Sequence, residues 1–424
     1  MFTRATALKV GLVAASLVVF ATACGSSSKT SSPQGSASTG QGSSASGSPV
    51  KIGLAVAESG FNATQYQIAV TTAKAWEANI NQSGGLGGHP VQIVIRDTAG
   101  TPATAIKVVN QLIDDDHVVA LIYADSGTEP GVAKLVSSKN IAVTYAAGID
   151  QTTWTGTKNF FASGTMPPVA NEAFVDATAA GGATNLFAIV CAEAPACAQI
   201  SDSYKQRVAS SGNKVKFVGL AKAAATDPTY TAQCLAAIQQ KADAIAIVLT
   251  TDVALRAEKD CLQQGYKGTF VVGGGTFDQP TLDKVPGAHY VGWVGYGFPW
   301  WVDAAPVNDF RSVMQKQSPT TDFRTPWATS MWSTLQLFKA TVSSTTAPLT
   351  AESVLAAYGT VKNQTLDGLL PSKLTYTAGQ PSPPVNCFWL VTYTAGDKNP
   401  KLVQGDTTGN NGASGDLASS CINN

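Results

Sequence analysis

The stretch that decides the fold runs from residue 118 to residue 150, VVALIYADSGTEPGVAKLVSSKNIAVTYAAGID. Residues 118–123 form an apolar run of strand length, and it ends abruptly in Ala124-Asp125-Ser126-Gly127-Thr128-Glu129-Pro130, small and polar residues of the kind that mark turns. Val132, Leu135 and Val136 then recur three and four apart, the spacing of a helix face, before residues 141–145 return to an apolar strand closing in Ala146-Ala147-Gly148. Strand, helix and strand in this order make a βαβ unit. In an open parallel sheet, ligands bind in the crevice beyond the carboxyl ends of the strands, where helix N-termini offer free N–H groups. The two small-residue turns are therefore expected to form half of a ligand site.

Outward from this unit the alternation continues in both directions. Upstream, residues 50–56 read as a strand followed by a turn containing Ser59 and Phe61, and a helix over 64–81 keeps Ile68, Ala75, Trp76 and Ile80 near one face. Gly84-Gly85-Leu86-Gly87-Gly88 follows a helix and precedes a strand at 91–95, the reverse of the order that cradles phosphate; it reads as a tight turn. Asp97 ends that strand, and a helix over 102–116 carries Ile106, Val109, Leu112 and Ile113 towards the sheet. Downstream, strands at 160–164, 186–190, 215–220, 244–249 and 269–272 alternate with helices at 169–180, 199–210, 230–241 and 253–264. That pattern predicts parallel sheet with helices on both faces, in two successive α/β sets, the second starting near Thr165. Residues 290–302, YVGWVGYGFPWWV, break the pattern. Either they cross between lobes with Tyr296, Trp300 and other rings looking into a cleft, or they are a core strand and an aromatic loop packed on their own lobe. A helix at 327–343, a segment at 354–358 and strands at 373–376 and 388–393 complete the chain.

Composition narrows the function. The formal net charge is zero and only 13% of residues are charged, which argues against a nucleic-acid partner. Arg4 and Lys9, an apolar run over 10–21 and Ala21-Thr22-Ala23 make residues 1–23 a signal peptide. Small residues directly before Cys24 resemble a bacterial lipobox, with Ala21 where leucine is usual; this implies lipidation of Cys24, the alternative being a cleaved signal and a free cysteine. Residues 24–49 are almost only small and polar, a tether reaching roughly 25 to 30 Å. The roughly 375 residues that follow exceed what one core usually serves, so two lobes are expected. Six further cysteines allow fifteen pairings; in an oxidising compartment sequence neighbours are the default, Cys191 with Cys197, Cys234 with Cys261 and Cys387 with Cys421. Three scattered histidines, His89, His117 and His289, offer no metal spacing, and no cofactor or metal is expected.

The order of segments, with Ile80-Asn81-Gln82-Ser83-Gly84-Gly85-Leu86-Gly87-Gly88, then Asp97, Pro102, Ala105 and Leu112-Ile113, and later Leu366-Asp367-Gly368-Leu369, resembles the type I periplasmic-binding-protein fold. It is most similar to the branched-chain amino-acid-binding group of ABC importers, over residues 51–403. The resemblance implies an α/β fold of two doubly wound parallel-sheet lobes joined by three crossings. Residues 50–163 with 294–362 would form the first lobe, and 164–293 with 363–424 the second. In that family the turn after the third strand, here Ala124 to Thr128, holds the ligand's carboxylate, and so does the turn after the fourth, Ala146, Ala147 and Gly148. Gly148 stands where amino-acid binders carry threonine. In the second lobe Thr250 and Thr251 stand at the family's aromatic position, and Gly274 and Gly275 fall where an acid neutralises the ligand's ammonium. An ammonium buried there would be unpaired at a cost of several kcal/mol, so a standard α-amino acid is disfavoured. Asp125 either repels a carboxylate or caps its helix with the side chain turned away. A neutral or amphipathic solute is expected, with Ser59, Phe61, Tyr66, Tyr145, Tyr296 and Trp300 as further candidates to touch it.

Three functions compete. A membrane-tethered, extracytoplasmic solute receptor, monomeric and delivering its ligand to an ABC permease, fits signal, tether and two lobes together. A sensory ligand-binding domain would use the same fold. A hydrolase lacks support: no G-x-S-x-G elbow occurs, and Asp114-Asp115-Asp116 reads as a solvated helix end.

Overall fold

The computed structural model describes residues 47–60, 63–167, 169–193, 195–345, 348–403 and 417–422. The expected signal peptide, Cys24, most of the tether and Phe61 lie outside the described residues.

The first sheet is built outward from Val50–Val56 (β1), whose apolar run suits a strand covered on both faces. After Ala63–Gln82 (α1), Val91–Asp97 (β2) lies parallel on one side of β1, with Val50 opposite Val91. The next helix, Pro102–Asn110 (α2), opens on a proline whose missing N–H would have had no helical partner. It ends in a single π turn, Gln111–Asp115, so the helix expected over 102–116 is widened at its last turn. Ala120–Ala124 (β3) then pairs with the other side of β1, Ile52 opposite Ala120. Glu129–Lys139 (α3), Ala142–Tyr145 (β4), Gln151–Gly156 (α4) and Phe160–Ala162 (β5) follow, giving the all-parallel order β2-β1-β3-β4-β5.

Val169–Ala180 (α5), Asn185–Cys191 (β6), Pro195–Ser210 (α6), Lys216–Ala223 (β7), Thr231–Gln239 (α7), Ala244–Val248 (β8), Thr251–Gln263 (α8), Thr269–Gly273 (β9), Gln279–Leu282 (α9) and His289–Val294 (β10) repeat the theme. The chain then turns back to Ala305–Gln317 (α10), Pro326–Val342 (α11) and Ala351–Tyr358 (α12); α10 and α11 pack on α1, and α12 packs on β3 and β4. It finally returns as Cys387–Thr394 (β11), Lys401–Val403 (β12) and Ser420–Cys421 (β13). The second sheet has the order β12-β11-β10-β9-β8-β6-β7, with β13 on β11. It is parallel from β7 to β10, but β11 lies antiparallel to β10, and β12 and β13 antiparallel to β11. The expected parallel sheet thus spans β7 to β10, and an antiparallel edge is added because β11 enters from the opposite direction. The strand expected at 373–376 reduces to one bridge between Gln364 and Leu374.

The chain thus passes between the two sheets three times, and one residue ties the passages together. The backbone N–H of Thr165 donates to Gly295 O at 2.8 Å, and its hydroxyl donates to Cys387 O at 2.6 Å. A Cβ at Gly295 would strike that hydroxyl, and one at Gly164 the carbonyls of Ala146 and Gly295; glycine permits the close approach. Three disulfides join Cys191 to Cys197, Cys234 to Cys261 across α7 and α8, and Cys387 to Cys421, which is the sequence-neighbour pairing. Among the described residues no helix is long and apolar enough to cross a membrane.

Candidate functional site

Strand order reverses between β1 and β3 in the first sheet and between β6 and β8 in the second. Crevices open where strand order reverses, and a cavity of about 460 Å³ is lined both by Ser126 and Gly127 beyond β3 and by Cys191, Glu193, Thr250 and Thr251 beyond β6 and β8. Its size suits a small organic ligand.

On the first-sheet side the turn after β3 is held by its one acid, Asp125, and by Tyr66. Asp125 is fully buried and faces inward: it accepts from Thr98 Oγ1 at 2.6 Å, from Thr128 Oγ1 at 2.7 Å and from the Gly127 N–H at 3.2 Å. The side chain is thus turned away from the cavity, but it does not cap α3 as expected, since the N-cap is Thr128 and Asp125 instead braces the turn before it. The Ser126 N–H donates to the Tyr66 hydroxyl at 3.2 Å. The turn after β4 is held in the same way. The Ala146 N–H donates to Thr334 Oγ1 of α11 at 3.1 Å, and the Ile149 and Asp150 N–H groups donate to the carboxylate of Glu129, the first residue of α3. Burial pushes the Glu129 carboxyl up to about 8, against the pull of those N–H groups. At Gly148 the edge of the Trp154 indole occupies the place where a Cβ would project. The threonine usual in amino-acid binders has no room there.

The opposite wall is aromatic. A Cβ at Gly273 would meet the Trp293 indole, one at Gly274 the Tyr296 ring, and one at Gly275 the Trp327 indole; Gly274 also has φ +54°, a backbone region that disfavours side chains. The glycine run therefore exists so that rings can lie on the backbone. From Tyr66 the rings run edge-to-face to Trp327 (centroids 5.1 Å), tilted on to Tyr296 (6.0 Å), and edge-to-face again to Trp293 (5.5 Å) and Phe174 (5.9 Å). Residues 290–302 divide between the two readings given them. Residues 290–294 belong to a core strand, Tyr296 joins the cavity wall, and Trp300 packs with Phe277 and Trp301 and donates its indole N–H to Gln279 Oε1 at 3.3 Å.

Of the residues singled out from sequence, Ser126, Gly127, Thr250, Thr251, Gly275 and Tyr296 come together on the cavity wall. Tyr66, Asp125, Thr128, Tyr145, Ala146 and Ala147 are buried behind it, while Gly148 sits under Trp154 and Gly274 under Tyr296. Ser59 is turned to Asp97, its hydroxyl donating to Oδ2 at 2.6 Å. Trp293, one of the rings of residues 290–302, lines the cavity as well, together with Trp327, Phe174, Asp150 and Glu193, which are not among the residues expected from sequence. Glu193 carried a signal, since it lies inside the short loop closed by Cys191 and Cys197 after a strand.

Residues 49–398 match the family described as Periplasmic binding protein, and the chain belongs to that family. It is 30% identical over 114 residues to an amino acid binding protein of Pseudomonas aeruginosa, an alignment covering 26% of this chain and 30% of the length of that relative. Among solved structures it is similar to LivJ, the branched-chain amino acid transporter substrate binding protein of Streptococcus pneumoniae in complex with isoleucine. The TM-score is 0.67 at 15% identity, over 84% of this chain and 99% of that one. It is equally similar to an ABC transporter solute binding protein of R. palustris in complex with benzoate, with TM-score 0.67 at 17% identity over 84% and 95% of the two chains. These two likenesses speak for the fold, an α/β chain of two doubly wound lobes of type I.

Proposed function

We propose that this chain is the solute receptor of an ABC importer, tethered outside the cytoplasm by lipid on Cys24, and that it works by hinge closure of two lobes. One observation carries the reading: in a member of the periplasmic binding family, a single cavity lies where the strand-order reversals of two sheets face each other. The lobes expected are residues 50–163 with 294–362 and 164–293 with 363–424, but Leu366–Gly368 packs on α10 and α11 and Tyr376 on Phe161 and Tyr358, which assigns residues 364–376 to the first lobe instead; Thr165 ties the three crossings. Ser126, Gly127, Thr250, Thr251, Gly275 and Tyr296 are the sequence-derived residues that would touch the solute. Because the sheets meet through few strands, a ligand touching both walls favours the closed arrangement by its extra contacts there.

The test is a thermal-shift screen of small solutes on the chain, followed by small-angle scattering with any that stabilise it. Ligand at 100 times its Kd adds about 2.7 kcal/mol. The expected result is a higher Tm, a smaller radius of gyration, and loss of both in Ser126→Trp. A ligand that raises Tm equally in Ser126→Trp places the solute elsewhere.

A further inference from the structure

The electrostatics of the cavity go further than the fold. The backbone donors of the first-sheet turns that border the cavity are already used inside the protein: Ser126 N–H by Tyr66, Gly127 N–H by Asp125, and Ile149 and Asp150 N–H by Glu129, with Ala146 N–H behind them taken by Thr334; Ala147 and Gly148 do not line the cavity. An incoming carboxylate would have to displace acceptors that are buried and well placed. The N-terminus of α8 at the wall carries Asp252 in its first turn, whose carboxylate accepts from Thr250 Oγ1 at 3.1 Å. The charged side chains on the wall are Asp150 and Glu193, and among the described lining residues there is no lysine, arginine or histidine. Both carboxylates are oriented by the backbone. Asp150 accepts from Thr153 N–H at 2.7 Å, and Glu193 accepts from Ala192 N–H at 3.1 Å and from Ala225 N–H at 2.6 Å. Each keeps lone pairs for another donor. Facing them, Trp293, Tyr296, Trp327 and Phe174 present aromatic surface, whose π faces attract cations and hold flat apolar groups.

Resting on the reading of this cavity as the solute site, we propose that its ligand is an organic cation, an amine with an aromatic or otherwise flat apolar body and no carboxylate. The body lies against the Tyr296 and Trp327 rings, and the ammonium is neutralised by Asp150 and Glu193. A free acid would meet two carboxylates and donors already taken; an α-amino acid would place its own carboxylate in the same difficulty.

The experiment is calorimetry and thermal shift on the full chain with four probes sharing one ring and differing in charge: phenethylamine, 2-phenylethanol, phenylalanine and 3-phenylpropionate. Phenethylamine is expected to bind tightest, with phenylalanine and 3-phenylpropionate at least tenfold weaker. Asp150→Asn keeps the oxygen that accepts from Thr153, and Glu193→Gln keeps one of the two oxygens that accept from Ala192 and Ala225, so the unfolding midpoint of the double variant is measured beside its affinities. This variant should lose about tenfold or more in phenethylamine affinity and change 2-phenylethanol affinity far less. Tighter binding of phenylalanine or 3-phenylpropionate than of the amine overturns the cation while leaving the receptor reading standing. So does silence from all four probes in a protein that other neutral or anionic solutes stabilise. Silence towards every solute overturns both.

Discussion

Two turns in this molecule look alike in sequence and are closed by opposite physics. Residues 146–150 follow β4 and residues 273–276 end β9 and turn away from it; both are segments of mostly small residues at the carboxyl end of a parallel strand. The first is held chiefly by polar groups, with Glu129 and Thr334 accepting the N–H donors of Ala146, Ile149 and Asp150, and a single indole, Trp154, on Gly148. The second is closed by apolar surface, with Trp293, Tyr296 and Trp327 lying on its glycines. A small residue after a strand therefore announces only that something comes close. Whether that something is a ligand, a carboxylate or an indole depends on residues far away in sequence.

The largest expected effect separates the two by pH. Burial raises the Glu129 carboxyl to about 8 from an ordinary 4.5, and burial raises Glu258, on α8 outside the cavity, to about 8 as well, against the hydrogen bond it receives from Tyr290. Between pH 4.5 and 8 the unfolded chain has released these protons while the folded chain still holds them. Their contribution is therefore fully present below about pH 4.5 and is lost as pH rises through 8, a loss of several kcal/mol for the two groups together. Denaturant midpoints should fall from pH 5 to pH 8.5. Glu129→Gln should remove part of that fall and Glu258→Gln another part, whereas changes in the glycine turn should leave its slope alone.

The aromatic side breaks next. Gly274→Val puts a branched side chain at φ +54° and into the Tyr296 ring, so strain and overpacking should together cost about 3 kcal/mol. Equilibrium unfolding would measure it. A loss below about 1 kcal/mol would mean that Tyr296 moves aside freely and that the wall is not packed as described.

Much of the fold was legible because β1, β3, β4, β6, β8 and β9 are short apolar runs that end in turn residues, a local signal. The last edge was not: β12 and β13 have three and two residues, and their pairing with β11 is set by where the chain returns. Helix α10 was legible in principle, since Val307, Phe310 and Met314 are buried at spacings of three and four. In the site, Ser126, Thr250 and Thr251 were legible from their position after strands. Trp293, Trp327 and Phe174 were not, because periodicity tells which rings are buried but not which of them border a cavity. Nor could sequence show that Glu129, which reads as an ordinary acid in the first turn of a helix, would reach the N–H groups of the turn after β4.

The smallest effect sharpens the polar side of the comparison. Thr334 lies on α11, which is buried nearly throughout, and its hydroxyl donates to Ser330 O at 2.7 Å while accepting from the Ala146 N–H at 3.1 Å. Thr334→Val keeps the shape and removes both bonds. The Ser330 carbonyl still has its helical partner, so the uncompensated loss is the Ala146 donor, buried and without acceptor, at a cost of about 1 kcal/mol. If that donor is then free to meet a ligand, the variant should bind 3-phenylpropionate better than the parent chain does while its stability falls. Unchanged affinity together with the expected loss of stability would show that Ala146 lies too deep behind the wall for any solute to reach. In that case the plugging that matters for ligand choice rests on Glu129 and the turn it holds at Ile149 and Asp150.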